Sequence, residues 1–63
     1  MREEYALEIR VNGSFDRQID VYNSIEAAER AAEKITFDSD EDYDIVRIEY
    51  DDSGNEISAT SIY

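Results

Sequence analysis

The sequence predicts an α+β domain of ββαββ order, a four-stranded antiparallel sheet with one helix packed on one face. Three observations predict it. Apolar and polar residues alternate with period two near both ends of the chain. Between those stretches lies an Ala- and Glu-rich run with helical spacing. A Gly-containing turn sequence divides each alternating stretch into two strands. The 63 residues make a single domain, residues 1–63.

Tyr5, Leu7, Ile9 and Val11 alternate with Ala6, Glu8 and Arg10 in the first strand. Asn12-Gly13-Ser14 breaks it, and Phe15, Ile19 and Val21 alternate with Asp16, Gln18 and Asp20 in the second. A two-residue turn would pair Ile9 with Asp16 and bring that carboxylate to the core face, because a slip of one residue flips every side chain. A three-residue loop pairs Val11 with Phe15, Leu7 with Ile19 and Tyr5 with Val21, and is the register expected here. It sets Arg17 opposite Ile9, with its charged head reaching water at the sheet edge.

Asn23 and Ser24 both suit a helix N-cap, and Asn23 with Glu26 has capping-box spacing. The helix is expected over Ile25 to Ile35. Ile25, Ala28, Ala32 and Ile35 share one face, where small alanines allow close approach to a sheet. Glu26, Glu29 and Glu33 form an acidic stripe on the opposite side, interrupted by Arg30 and Lys34, which are placed to pair with Glu26 and Glu33.

Thr36 to Asp44 reads as an acidic loop. Val46, Ile48 and Tyr50 then form the core face of a third strand. Asp51 to Asn55 is a turn sequence, and a loop from Asp52 to Asn55 leads into a fourth strand with Ile57 and Ala59. This register pairs Ile48 with Ala59, Glu49 with Ser58 and, on the outer face, Ile45 with Ile62. The expected sheet order is second, first, third, fourth, which allows a right-handed crossover. The expected core is Leu7, Ile9, Phe15, Ile19, Val21, Ile25, Ala28, Ile35, Val46, Ile48, Tyr50 and Ile57.

Composition narrows the chemistry. Seventeen acidic residues stand against six basic ones, for a net charge of −11. So small a domain bears a self-repulsion cost for that charge. A partner, solubility and halophilic adaptation are three open origins of it. Nucleic-acid phosphates and anionic lipids would both repel the chain, so its charged partner is expected to be a basic protein surface, with no direct nucleic acid and no membrane. The chain has no His and no Cys, which removes the commonest general base and the commonest zinc ligands. The serines have no His beside them to act as base, and no enzyme is expected. No apolar run approaches the roughly 18 residues of a membrane span.

Asp38, Asp40, Asp42, Asp44, Ile45 and Glu49 fall on an EF-hand-like frame. The frame fails at Tyr43, where the sharp turn needs Gly. A solvated acidic segment is the reading kept, with no metal and no cofactor. Asp51 and Asp52, beside Gly54 and Asn55, read as turn formers rather than as a catalytic pair. Tyr22, Tyr43 and Tyr63 suit either interface anchors or a sheet rim.

Carboxylates on a strand recur about 6.6 to 6.8 Å apart on one face. An array of that kind can offer charge to a groove built for phosphates. In its length, its charge, its ββαββ reading and its stretch from Asp38 to Asp44, the chain resembles the small acidic phage-encoded anti-defence inhibitors, the anti-CRISPR and other DNA-mimic proteins. The resemblance lies in overall character and rests on no diagnostic motif. It implies a non-enzymatic inhibitor in the host cytoplasm, bound to the nucleic-acid-binding surface of a defence protein. Asp38, Asp40, Glu41, Asp42 and Asp44 would make the charge contacts around a Tyr43 anchor, with Glu26, Glu29 and Glu33 as a second patch. The alternative is a generic interaction module or homodimer, joined through an outer sheet face of Ile45, Ile62, Tyr22 and Ala6, with acidity serving solubility.

Overall fold

In a computed structural model that describes residues 2–62, strands β1 (Arg2–Val11) and β2 (Ser14–Tyr22) precede helix α1 (Ile25–Glu33). Strands β3 (Glu41–Tyr50) and β4 (Glu56–Ser61) follow it. The four strands form one antiparallel sheet in the order β2-β1-β3-β4. The fold class, the element order and the sheet order are those expected. The body is elongated, 40 × 22 × 16 Å, because two central strands of ten residues set its length.

The first hairpin departs from the expected register. Its turn is the two-residue Asn12-Gly13, with Val11 opposite Ser14 and positive φ at both residues, 52° and 83°. Such a turn matches the right-handed twist of its strands. Two register shifts follow, the first bringing the expected parity and the second undoing it. Arg10 pairs with Phe15 but Ile9 pairs with Arg17, and Glu8 pairs with Gln18 but Leu7 pairs with Asp20. Asp16 and Ile19 are the extra residues, as at bulges on an edge strand. Arg17 does stand opposite Ile9. Phe15 and Ile19 leave the core and are 59% and 41% exposed. Tyr22, not Val21, stands opposite Tyr5 on the helix side.

Ser24 caps α1, its Oγ accepting from the Ala27 N–H at 3.2 Å. Ala28 and Ala32 are buried against the sheet, and Ile35 packs on the same cluster just past the helix. Leu7 and Ile45 complete that buried cluster, with Tyr5, Tyr22, Ala31, Tyr43 and Ile62 packed around it. Ile9 is also fully buried.

Strand β3 begins at Glu41, so Asp42, Tyr43 and Asp44 belong to a strand and not to the expected loop. It also presents the opposite face from the one expected. Ile45 stands opposite Leu7 under the helix, and Ile62 joins it by donating its N–H to the Ile45 carbonyl at 2.9 Å. Val46, Ile48 and Tyr50 therefore lie half-buried on the open face, beside Val21 and the fully buried Ala6. The outer face predicted for the alternative reading thus keeps only Ala6, since Ile45, Ile62 and Tyr22 lie under the helix.

The second hairpin keeps Ile48 opposite Ala59 and Glu49 opposite Ser58, as expected. Its loop runs Asp51–Asn55, because Tyr50 pairs with Glu56 and leaves Ile57 as an extra residue, 55% exposed. Asp51 shapes that loop: its Oδ1 accepts from the N–H groups of Ser53 and Asn55, both at 2.9 Å. Gly54 takes a φ of 85°.

Candidate acidic interface

The connection from β2 to β3 must travel the length of the sheet. Tyr22 ends β2 opposite Tyr5, whereas Glu41 starts β3 opposite Val11. Six residues of β1 separate those levels, about 20 Å at roughly 3.4 Å per residue. Helix α1, nine residues long, rises about 13 Å of that distance. The segment after it covers the rest. Its far end is tied to the hairpin tip, where Asn12 N–H donates to the Asp40 carbonyl at 3.0 Å. Phe37 stacks on Tyr43 with centroids 5.7 Å apart.

Glu26, Glu29, Glu33, Asp38 and Asp40 all ride on this connection. The two patches read from the sequence thus fall on one connection on the helix side, an acidic line interrupted by Arg30 and Lys34. Glu26, Glu33, Asp38 and Asp40 are exposed, and Glu29 is half-buried. Successive helix carboxylates rise about 4 to 6 Å.

The remaining predicted site residues are placed differently. Glu41 turns inward. Its carboxylate receives Arg17 at 3.4 Å and the Asp38 N–H at 2.9 Å. With the Glu41 N–H donating to the Asp38 carbonyl at 3.0 Å, it closes the acidic turn from both sides. Tyr43 is packed against the core and stacked on Phe37, so it is no exposed anchor. Asp42 is exposed but lies on the open sheet face, opposite Arg10. Tyr63 lies outside the described residues.

Asp44 differs most from expectation. It is only 3% exposed. Its Oδ2 accepts from Arg10 Nη2 at 2.8 Å and from Ser61 Oγ at 2.6 Å, and its Oδ1 from the Ile45 N–H at 2.8 Å. These bonds compensate a carboxylate that burial would otherwise penalise. Glu8 stands directly opposite Asp44 on β1. Burial pushes the Glu8 carboxyl above the usual range, Arg10 draws it down and Asp44 pushes it up.

Sequence reasoning missed the role of the arginines. Arg10 holds Asp44, Arg17 bridges Asp16 at 2.6 Å and Glu41, and Arg47 lies between Glu3 and Glu49. Arg2 pairs with Glu4 at 3.5 Å and lies 4.7 Å over the Tyr50 ring. Four of the six basic side chains are therefore engaged at the sheet, Arg17 beside the turn that carries Asp38, and the other two, Arg30 and Lys34, lie on the helix and its C-cap among the glutamates. The signal was available: Arg10, Arg17 and Arg47 all sit inside alternating segments.

Among the described residues, no three Asp or Glu side chains converge on a metal-holding geometry. No described helix is long and apolar enough to cross a membrane. Comparisons with protein-family models, with curated proteins and with solved structures find no match.

Proposed function

We propose that this protein is a non-enzymatic inhibitor that occupies a basic, nucleic-acid-binding surface of a protein target. The acidic line on the crossover supports the reading most. It gathers Glu26, Glu29, Glu33, Asp38 and Asp40 along one side of a 40 Å body. Over a connection of about 20 Å, its five carboxylates recur about every 4 Å before Arg30 and Lys34 are counted, against ~3.4 Å per phosphate of one DNA strand. A groove lined with Lys and Arg that follows a single strand would meet a comparable spacing of carboxylates here, at a lower net charge. Four arginines are paired on the sheet, whereas Arg30 and Lys34 lie among the glutamates of the helix and offset part of the line's charge.

The contact set is Glu26, Glu29, Glu33, Asp38 and Asp40, while Asp42 lies on the open sheet face. Glu41, Tyr43 and Asp44 serve the fold that presents it. A basic protein of a host nuclease-type defence complex fits such a ligand, as the resemblance to DNA-mimic inhibitors implies.

The test uses immobilised protein and a nuclease-treated bacterial lysate, with elution in steps of salt. Basic proteins should be captured at low salt and released steeply as ionic strength rises. The double variant Asp38→Asn, Asp40→Asn removes two exposed charges of the line and leaves Glu41 to hold the turn. It should release the same proteins at lower salt. Equal elution from both baits would refute the reading.

A further inference from the structure

The two edges of the sheet are protected unequally. Edge β2 has two register shifts and carries Asp16, Arg17 and Asp20. Bulges and charges of that kind keep foreign strands from pairing. Edge β4 has none of these from Ser58 onward. Ile57 to Tyr63 is the longest stretch of this chain without a charged residue, although 37% of all residues are charged. It contains no Pro, Gly or Lys. Among the described residues, the fold lays Ile57 to Ser61 of this neutral run in β4, the edge strand next to β3.

The ladder parity fixes which groups look outward. Ile62 donates to the Ile45 carbonyl. Hydrogen-bonded pairs in an antiparallel ladder alternate. Ile45–Ile62 is therefore a bonded pair and Ile48–Ala59 is not, so the N–H and C=O of Ala59 point away from β3. Ala59 is exposed.

We propose that β4 is the dimerisation edge of this protein and that its occupant is a second copy of the same chain, joined antiparallel across a two-fold axis at Ala59. The N–H of each Ala59 donates to the carbonyl of the other. Ser58 then falls opposite Thr60 of the second copy, and Glu56 opposite Ile62, so no carboxylate faces a carboxylate across the seam. Two bodies of net charge −11 repel each other on almost any approach. The neutral edge is where that repulsion is least and where backbone bonds are on offer. The two four-stranded sheets become one continuous sheet, and both acidic lines remain uncovered. This proposal stands independently of the proposed target.

Salt separates a second copy from a basic peptide strand as occupant. Association of like-charged copies strengthens with salt, whereas a basic strand binds more weakly. Sedimentation of the purified chain over a concentration series, at low salt and at about 0.3 M NaCl, should show a monomer–dimer equilibrium that shifts toward dimer with salt. Ala59→Pro removes only an outward donor, which an edge strand tolerates. It should be monomeric throughout, with an unchanged far-ultraviolet spectrum. Ala59→Glu sets two carboxylates against each other at the axis and should be monomeric as well, a check should the proline variant fail to fold. A wild-type chain that stays monomeric at all concentrations and both salts would overturn the proposal. So would a dimer that weakens with salt, or one that survives either folded variant.

Discussion

Leu7 on β1 and Ile45 on β3 stand directly opposite each other, both fully buried beneath Ala28 and Ala32 of the helix. This pair, and not Val46 with Ile48, is where β3 enters the core. Ile45→Ala should cost about 2 to 5 kcal/mol, the range for a truncated buried aliphatic side chain. Ile48→Ala, on the open face and only half-buried, should cost clearly less. Urea denaturation of both variants checks the order, and a larger loss for Ile48→Ala would reverse the assignment of faces.

The elements were legible because local signals agreed with one another. Ser24 and the alanine spacing marked the helix, and loop parity gave Ile48 opposite Ala59. The face of β3 was not legible, because Tyr43 and Ile45 offer an apolar set on one side while Val46 and Ile48 offer another. Periodicity cannot choose between two apolar faces. The extra residues Asp16 and Ile19 in β2 leave no compositional mark either. Asp44 looked like one more loop carboxylate. Its burial follows from Arg10 and Ser61 meeting it from neighbouring strands, a relationship set by register. The uninterrupted alternation of Tyr43-Asp44-Ile45 was the clue that the strand starts early.

Asp44 should matter for stability far more than its exposed neighbours. Asp44→Ala removes the acceptor of the buried Ile45 N–H and of Arg10, and should cost about 1 to 3 kcal/mol, the range for a buried hydrogen-bonding group that loses its partner. Asp42→Ala, on the same strand but exposed, should fall within about 0.5 kcal/mol of the parent. Equal denaturation midpoints for Asp44→Ala and the parent would contradict this.

Glu8 gives the fold a specific pH dependence. Burial raises its folded-state pKa above the ordinary value of 4.5. The folded chain therefore holds this proton more tightly than the unfolded chain. Its contribution is fully present below 4.5 and is lost as pH rises through the raised value. Glu8→Gln should be more stable than the parent at pH 7, and the advantage should shrink toward pH 4. Measured midpoints that show Glu8→Gln destabilised at pH 7 would refute the assignment.

The acidic line should also make stability salt-dependent. Screening relieves repulsion among Glu26, Glu29, Glu33, Asp38 and Asp40. The thermal midpoint should rise between low salt and about 0.3 M NaCl. The rise should be smaller in the variant Glu26→Gln, Glu29→Gln, Glu33→Gln. A midpoint that falls with added salt would mean that the arginine pairs outweigh the repulsion.

The most direct test of the central claim is competition at constant ionic strength. Basic proteins captured on the immobilised chain are challenged with a single-stranded DNA oligonucleotide, the salt being adjusted so that only the competitor changes. If the acidic line stands in for a phosphate backbone, the oligonucleotide displaces the protein, because both need the same groove of Lys and Arg. A captured target that binds the oligonucleotide and still holds this protein with undiminished affinity would contradict the account.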